Sequence, residues 1–234
     1  MRAGAAHVEV SVATDLAGSG VVDLSSGSAA LSFQRVGAQA HLGDRFDVVA
    51  RGDQEWVRAQ GPGGGVPGTT ASAPWLEGTP SAVVSAAGSR VGPLTTLLVR
   101  PGLGAAVAFL RGATKALRYG GEEVRGVSTY RFSFVVDLAA AAAASPPEER
   151  AELDVAAAAI GPVQWPADVW LDAQGRVRRL QMAENPRLRT TTTKPNLLLT
   201  EDGNYLALTN LEFYDLGTPA TVQVPSAAVS TPAR

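Results

Sequence analysis

Residues 124–138 read VRGVSTYRFSFVVDL, and this stretch decides the fold class. From Tyr130 to Leu138 every second residue is aromatic or aliphatic, and the residues between them are polar except Val135. A repeat of two residues is typical of a β-strand with one buried face and does not fit a helix. We therefore predict a strand over this stretch, with its apolar side facing the interior.

Shorter stretches with the same alternation come earlier in the chain. The predicted strands are residues 7–14, 21–24, 31–34, 39–42, 45–50 and 55–59. Gly18-Ser19-Gly20 and Gly52-Asp53 are predicted to form turns between them. Because no helical pattern separates these strands, they predict an antiparallel meander.

The last third of the chain is again rich in strand patterns. Residues 168–171 and 177–182 flank a predicted hairpin loop at 172–176. Further strands are expected at residues 187–193, 205–214 and 221–224. All of them extend the antiparallel sheet.

Helical patterns are few. Within residues 94–116, Leu103, Val107 and Leu110 fall on one face of a helix. A second helix is predicted over residues 145–161, because Ser-Pro-Pro-Glu at its start has the N-cap, first-turn proline and acid of a capping box. Residues 61–80 are rich in glycine and proline and predict a mobile loop.

The composition excludes several classes of site. The 234 residues include no cysteine and two histidines, which rules out disulfides, thiolate chemistry, and zinc sites built on cysteine or several histidines. The 20 basic and 22 acidic side chains argue against a nucleic-acid binder. No nucleophile motif occurs. We expect no enzyme activity, no catalytic residue, no metal and no cofactor.

The predicted sheet has one apolar face, and only two or three short helices are available to cover it. If the sheet curves, its concave side and the helices can enclose an apolar cavity. The plain alternative is that the same residues fill each other as a core. The candidate lining residues are Phe33, Phe46, Trp75, Leu103, Val107, Leu110, Tyr130, Phe132, Phe134, Val136, Leu180 and Met182.

One basic cluster lies in the last third of the chain. It consists of Arg176, Arg178, Arg179, Arg187 and Arg189. A charged sheet edge in solvent is the plain interpretation, since charge blocks edge-to-edge association. Contact with anionic lipid headgroups at a membrane surface, through Arg176, Arg178 and Arg179, is the functional one.

Two stretches resemble a known family. Residues 168–180 read DVWLDAQGRVRRL, and residues 212–225 read EFYDLGTPATVQVP. Both are similar to actinobacterial envelope lipoproteins of the LppX/LprG type within the wider LolA-like superfamily, and residues 110–113 and 122–138 fit the same pattern. The resemblance extends over most of the chain.

The resemblance implies an α+β fold, in which a curved antiparallel sheet forms an incomplete β-barrel and a few helices cover its concave face. It also implies a non-catalytic carrier of a lipid or acylated glycolipid at the cell envelope, exported and lipid-anchored as a precursor. Residues 1–6 lack the apolar segment of a signal peptide, so we expect the anchor to be absent from this chain.

Two expectations remain on organisation and function. Residues 1–225 are expected to form a single monomeric domain, followed by a flexible tail at 226–234. The alternative function is an envelope sensor or protein-interaction module with the same fold and a collapsed interior.

Overall fold

A computed structural model provides the structure of the protein. It describes residues 4–12, 16–23, 26, 28–36, 45–52, 54–61, 65–79, 82–83, 86, 110–147, 150, 153–154, 164–183, 208–219 and 221–231. The predicted strands at 39–42 and 187–193 lie outside these residues. No helix in the described part of the chain is long and apolar enough to cross a membrane.

Strands dominate the described residues. In chain order they are β1 (Ala5–Val12), β2 (Leu16–Asp23), β3 (Ser28–Arg35), β4 (Arg45–Arg51), β5 (Gln54–Gln60), β6 (Trp75–Gly78), β7 (Ala113–Val124), β8 (Val127–Asp137), β9 (Gln164–Asp172), β10 (Val177–Ala183), β11 (Leu208–Tyr214) and β12 (Ala228–Ser230). The chain divides into two compact units.

The first unit comprises Met1–Glu9, Asp15–Ala106 and Asp215–Arg234. Its strand order is β12-β6-β5-β4-β3-β2-β1. The pairs from β2 to β6 are antiparallel, and β12 runs parallel to β6. The predicted turn at Gly52 is confirmed, since the residue has a φ of 61° and joins β4 to β5.

Three predictions for this unit are wrong. Gly18 to Gly20 form no turn but lie inside β2, where Gly18 pairs with Phe33. A Cβ at position 18 would collide with the Phe33 ring, so the glycine makes room for the aromatic side chain. Residues 221–224 form no strand, and residues 228–230, predicted as flexible tail, form β12 instead.

The predicted loop at residues 61–80 is also more ordered than expected. Val66 is buried, and a turn joins it to Thr69 through a backbone bond of 3.1 Å. The segment ends in β6, which pairs with β5. The composition of residues 61–80 did not predict this short strand, because glycine and proline outnumber the few residues that pair with β5.

The second unit comprises Val10–Thr14 and Val107–Tyr214. Its strand order is β11-β10-β9-β8-β7, and every neighbouring pair is antiparallel. The strand predicted at 124–138 is β8, and the predicted hairpin is β9 and β10. Both predictions are confirmed.

Helical structure in the described part of this unit is short. A 3₁₀ helix at Leu110–Gly112 precedes β7, and α1 spans Leu138–Ala143. The helix predicted at residues 94–116 is therefore wrong for residues 113–116, which begin β7. The backbone N–H groups of Ala139 and Ala140 donate to Asp137 Oδ1, which caps α1.

α1 packs against the 3₁₀ helix through Gly112. A Cβ at this glycine would collide with the carbonyl oxygen of Asp137 and with Ala141. Ser145, the predicted N-cap of the following helix, donates from Oγ to the carbonyl oxygen of Ala141 at 2.8 Å. Residues 147, 150, 153 and 154 are helical, in agreement with the predicted helix at 145–161.

Candidate functional site

The apolar face of the sheet in the second unit contains half of the predicted lining residues. Strand register places Phe132, Val169, Leu180 and Leu211 in one row across β8 to β11. Phe134, Ala167 and Met182 form the adjacent row. These rows are continuous because each strand contributes side chains to this face at every second position.

Burial of these rows is nearly complete. Leu180 is 1% exposed, and Phe134, Val136 and Met182 are also buried. Phe132 is half-buried. Tyr130 shares the face by register but is 45% exposed, and the Arg118 guanidinium stacks 4.0 Å from its ring centroid. Tyr130 therefore lies at the margin of the apolar rows rather than within them.

The first unit contains a separate apolar face. Phe33 and Phe46 are direct partners across β3 and β4, and both are buried. Trp75 is not part of this face. Since Val57 pairs with Leu76, the adjacent Trp75 points to the opposite side, where Arg58 stacks on it at 4.8 Å. Leu76, which is buried, takes the place predicted for Trp75.

The remaining predicted lining residues come from residues 94–116. Leu110 is half-buried in the 3₁₀ helix. Leu103 and Val107 lie outside the described residues. The structure therefore groups the predicted lining residues as Phe33 with Phe46 in one unit and as the rows around Phe134 in the other.

Several buried members of these faces are not among the predicted lining residues. Ala167, Val169, Leu211 and Phe213 are all buried in the second unit, and their alternation within β9 and β11 could have identified them. In the first unit Glu55 is fully buried, on the face that also carries Val57. No sequence signal distinguishes this glutamate from an exposed one, because its burial depends on pairing with Ala50 and Gly78.

The opposite face of the second unit's sheet is polar and aromatic. Arg131, Trp170, Arg179 and Glu212 form one row across β8 to β11. The guanidinium groups of Arg131 and Arg179 lie 5.2 Å and 5.1 Å from the Trp170 ring centroid. The Trp170 indole therefore lies close to two cations, and its electron-rich ring attracts both of them.

Acidic groups balance this row. Arg131 Nη2 donates to Asp168 Oδ2 at 2.6 Å, and Trp170 Nε1 donates to Glu122 Oε2 at 2.8 Å. Glu212 accepts from both Arg179 and Arg125. Burial alone would raise the pKa of Glu212, but the hydrogen bonds from these two arginines outweigh it and lower that pKa below its usual value.

Asp172 plays the same part at the β9–β10 hairpin. Its carboxylate accepts bonds from the backbone N–H groups of Gln174 and Arg176 and from the side chains of Arg176 and Arg178. Burial alone would raise the pKa of Asp172, but these four bonds lower it overall. Arg178 reaches the carboxylate because a register shift falls between Val177 and Arg179.

The predicted basic cluster is therefore balanced locally. Arg176 and Arg178 pair with Asp172, and Arg179 pairs with Glu212 at 2.6 Å. Arg187 and Arg189 lie outside the described residues. These pairings agree with the plain interpretation of a charged sheet surface.

Comparisons with known proteins give matches among solved structures. No family model and no curated protein matches the sequence. The lipoprotein LppX from Mycobacterium tuberculosis is 16% identical, with 94% of this chain and 90% of that chain covered and a TM-score of 0.38. LprF from Mycobacterium bovis is 13% identical, with coverage of 97% and 90% and a TM-score of 0.45.

A LolA superfamily protein from Nitrosomonas europaea is also similar. It is 10% identical, with 92% of this chain and 84% of that chain covered and a TM-score of 0.25. LppX and a LolA superfamily protein, of the kinds that the sequence resemblance named, are thus among the structures to which this chain is similar.

Proposed function

We propose that this protein holds the acyl chains of a lipid or acylated glycolipid against apolar rows of its sheet, without catalysis. The observation that supports this most directly is the continuous apolar face formed by β8 to β11 in the second unit. An acyl chain has no polar group along its length, so binding it requires area rather than a precise polar site.

The energy available is sufficient. Each methylene group removed from water contributes about 0.8 kcal/mol. Burying ten of them gives on the order of 8 kcal/mol before the entropic cost of association. A row such as Phe132, Val169, Leu180 and Leu211 offers branched and aromatic contacts along its full width.

Helix α1 is short compared with this face. Four adjacent strands are separated by three spacings, or about 14 Å, whereas six helical residues extend about 9 Å. α1 has six residues, and it buries only Leu138, Ala141 and Ala142. α1 is therefore too short to span the apolar rows by itself, and the following helix contributes the buried Leu153.

The resemblance of residues 168–180 and 212–225 to envelope lipoproteins supports the finer parts of the proposal. According to this proposal, residues 1–225 form one monomeric domain, which is an incomplete barrel. The protein acts at the cell envelope, and its precursor is exported and lipid-anchored.

One observation favours a second candidate, a sensor or interaction module with a packed interior. Leu180 and Leu211 have almost no exposed surface, as expected of side chains that fill each other. The two candidates differ in whether other protein atoms or an acyl chain occupy the space beside Phe134.

Native mass spectrometry of gently purified protein, with and without Phe134→Trp, separates the two. A carrier shows added lipid mass in the wild type, and the larger indole removes this mass while the protein remains folded. A packed core shows no added mass, and the same substitution lowers the free energy of unfolding by about 1–3 kcal/mol.

Ser128→Trp is the matched control, because Ser128 is exposed on the same strand. It should change neither bound lipid nor stability. Wild-type protein that has no lipid mass and yields no lipid on organic extraction contradicts the carrier proposal.

A further inference from the structure

Strand β7 has a different environment from the rest of the second unit's sheet. It is the last strand in the order, and in the described part of the chain it pairs only with β8. Residues 113–118 are exposed on both sides of the strand, although side chains alternate between two faces. This end of β7 therefore presents both faces and its outer edge to the surroundings.

The exposed end of β7 includes the large apolar side chain of Leu117. Leu117 is 62% exposed, the highest value among the exposed large apolar residues, and Tyr130 on β8 is 45% exposed. Solvent exposure of a leucine on a strand loses the hydrophobic stabilisation that burial would give. Leu117 pairs with Ser133, whereas Arg118, which stacks on Tyr130, pairs with Phe132, so Leu117 and Tyr130 lie on opposite faces. A contact that covers both must therefore surround the edge of β7.

Two cations accompany these residues. Lys115 and Arg118 are exposed, and neither forms an ion pair with an acidic residue in the described part of the chain. Arg118 instead stacks on Tyr130. Residues 110–121 contain Arg111, Lys115 and Arg118 but no acid. Asp137, near the start of β7, is engaged in capping α1.

The balanced arginines of the β9–β10 hairpin provide the contrast. Asp172 and Glu212 neutralise Arg176, Arg178 and Arg179, whereas Lys115 and Arg118 retain their charge for an outside partner. From this difference we propose that Lys115, Leu117, Arg118 and Tyr130, here called the β7 patch, dock the protein onto an anionic lipid surface. This inference does not depend on an acyl-chain site.

The chemistry of each residue fits such a surface. Lysine and arginine bind lipid phosphates, and each basic residue near an anionic membrane strengthens binding. Tyrosine prefers the headgroup region, where its ring is buried and its hydroxyl stays hydrated. Leu117 would enter the boundary with the acyl chains, as apolar residues of interfacial proteins do.

The backbone of β7 argues against a protein strand as the partner. Register shifts with β8 occur between Thr114 and Leu117 and between Arg118 and Gly121. Lys115 has a φ of 55°, which is outside the extended range of a regular strand. An edge interrupted in this way is a poor template for pairing with another chain.

Co-sedimentation with vesicles tests the proposal. We expect the full chain to bind phosphatidylcholine vesicles that contain phosphatidylglycerol, to bind pure phosphatidylcholine vesicles weakly, and to lose affinity as salt is raised. Lys115→Gln together with Arg118→Gln should weaken binding about 25-fold, from about fivefold per charge. Leu117→Ser should weaken it about tenfold.

Arg45→Gln together with Arg51→Gln is the matched control. Both arginines are exposed on β4, so this pair removes the same charge from another strand. The affinity of this variant for vesicles should stay within about twofold of wild type. The small change reflects weaker long-range electrostatic attraction to the anionic surface. Thermal unfolding of each variant shows that the fold is retained.

Several results would overturn the docking proposal. These are equal binding to both kinds of vesicle, equal losses in the β7 and β4 variants, and unchanged binding in Leu117→Ser. A wild-type dimer that Leu117→Ser converts to monomer, without vesicle binding, would assign the patch to a second copy of the chain. Lipid mass measured in the same variants distinguishes failure here from failure of the acyl-chain proposal, since Phe134 is unchanged.

Discussion

The two faces of the sheet in the second unit use the same strands for different physical purposes. One face carries apolar rows around Leu180, whose stabilisation depends on area and not on direction. The other carries Arg131, Trp170, Arg179 and Glu212, whose ion pairs and ring stacking require specific geometry. Directional contacts on one face can therefore fix strand register, so that the other face need only be apolar.

Trp170→Ala is expected to have the largest effect on stability. It removes a buried indole, its bond to Glu122 and its contacts with two guanidinium groups. We expect a loss of about 4 kcal/mol in the free energy of unfolding, measured by denaturant titration. Trp170→Phe keeps the stacking and should cost about 1 kcal/mol. If both substitutions lower the free energy of unfolding equally, ring stacking at position 170 does not contribute to the stability of the polar face.

Leu180→Ala probes the apolar face at the centre of a row. Because the side chain is almost fully buried, we expect a loss of about 3 kcal/mol in lipid-free protein, measured by denaturant titration. Leu117→Ala is the matched control on an exposed strand position and should change stability by less than about 0.5 kcal/mol. A cost at Leu180 as small as that at Leu117 would contradict close packing of this row.

Asp172→Asn tests the directional face by pH. Since the folded state lowers the pKa of Asp172 below its ordinary value of 3.8, the carboxylate stabilises the fold above that pH. This stabilisation is lost as the pH falls through the lower folded value. The variant should cost about 2 kcal/mol at neutral pH, and its stability should fall less steeply in acid than that of the wild type.

Asp154→Asn is the control for the acid titration, because Asp154 is exposed. Stability curves between neutral and strongly acidic pH compare the three proteins. If the two variants follow the same curve, the hairpin carboxylate does not contribute to acid sensitivity.

Local alternation predicts most strands of the described residues, but it does not predict which side chains of neighbouring strands meet. It identified β8 and the β9–β10 hairpin, because one buried face imposes a period of two on each strand. It failed at Gly18, where glycine in a strand is explained only by the Phe33 ring opposite. Trp75, predicted as a lining residue, lies on the opposite face, because Leu76 and not Trp75 pairs with Val57.

The polar row could not be predicted either, because its contacts join strands that are distant in the sequence. Arg176, Arg178 and Arg179 form a cluster in the sequence, but the sequence does not indicate their acidic partners. Arg178 meets Asp172 only through the register shift in β10, and Arg179 meets Glu212 only because β11 lies beside β10. Contacts that depend on register between distant strands leave no local pattern in the sequence.

The pairing of β12 with β6 has a consequence for the order of folding. The backbone N–H of Gly217 donates to the carbonyl oxygen of Ala5, and that of Thr231 donates to the carbonyl oxygen of Glu77. Strands β7 to β11 have all been synthesised once Tyr214 has been added. The first unit, although it begins the chain, needs residues 217 and 231 for these two bonds, so we expect it to close after the second unit.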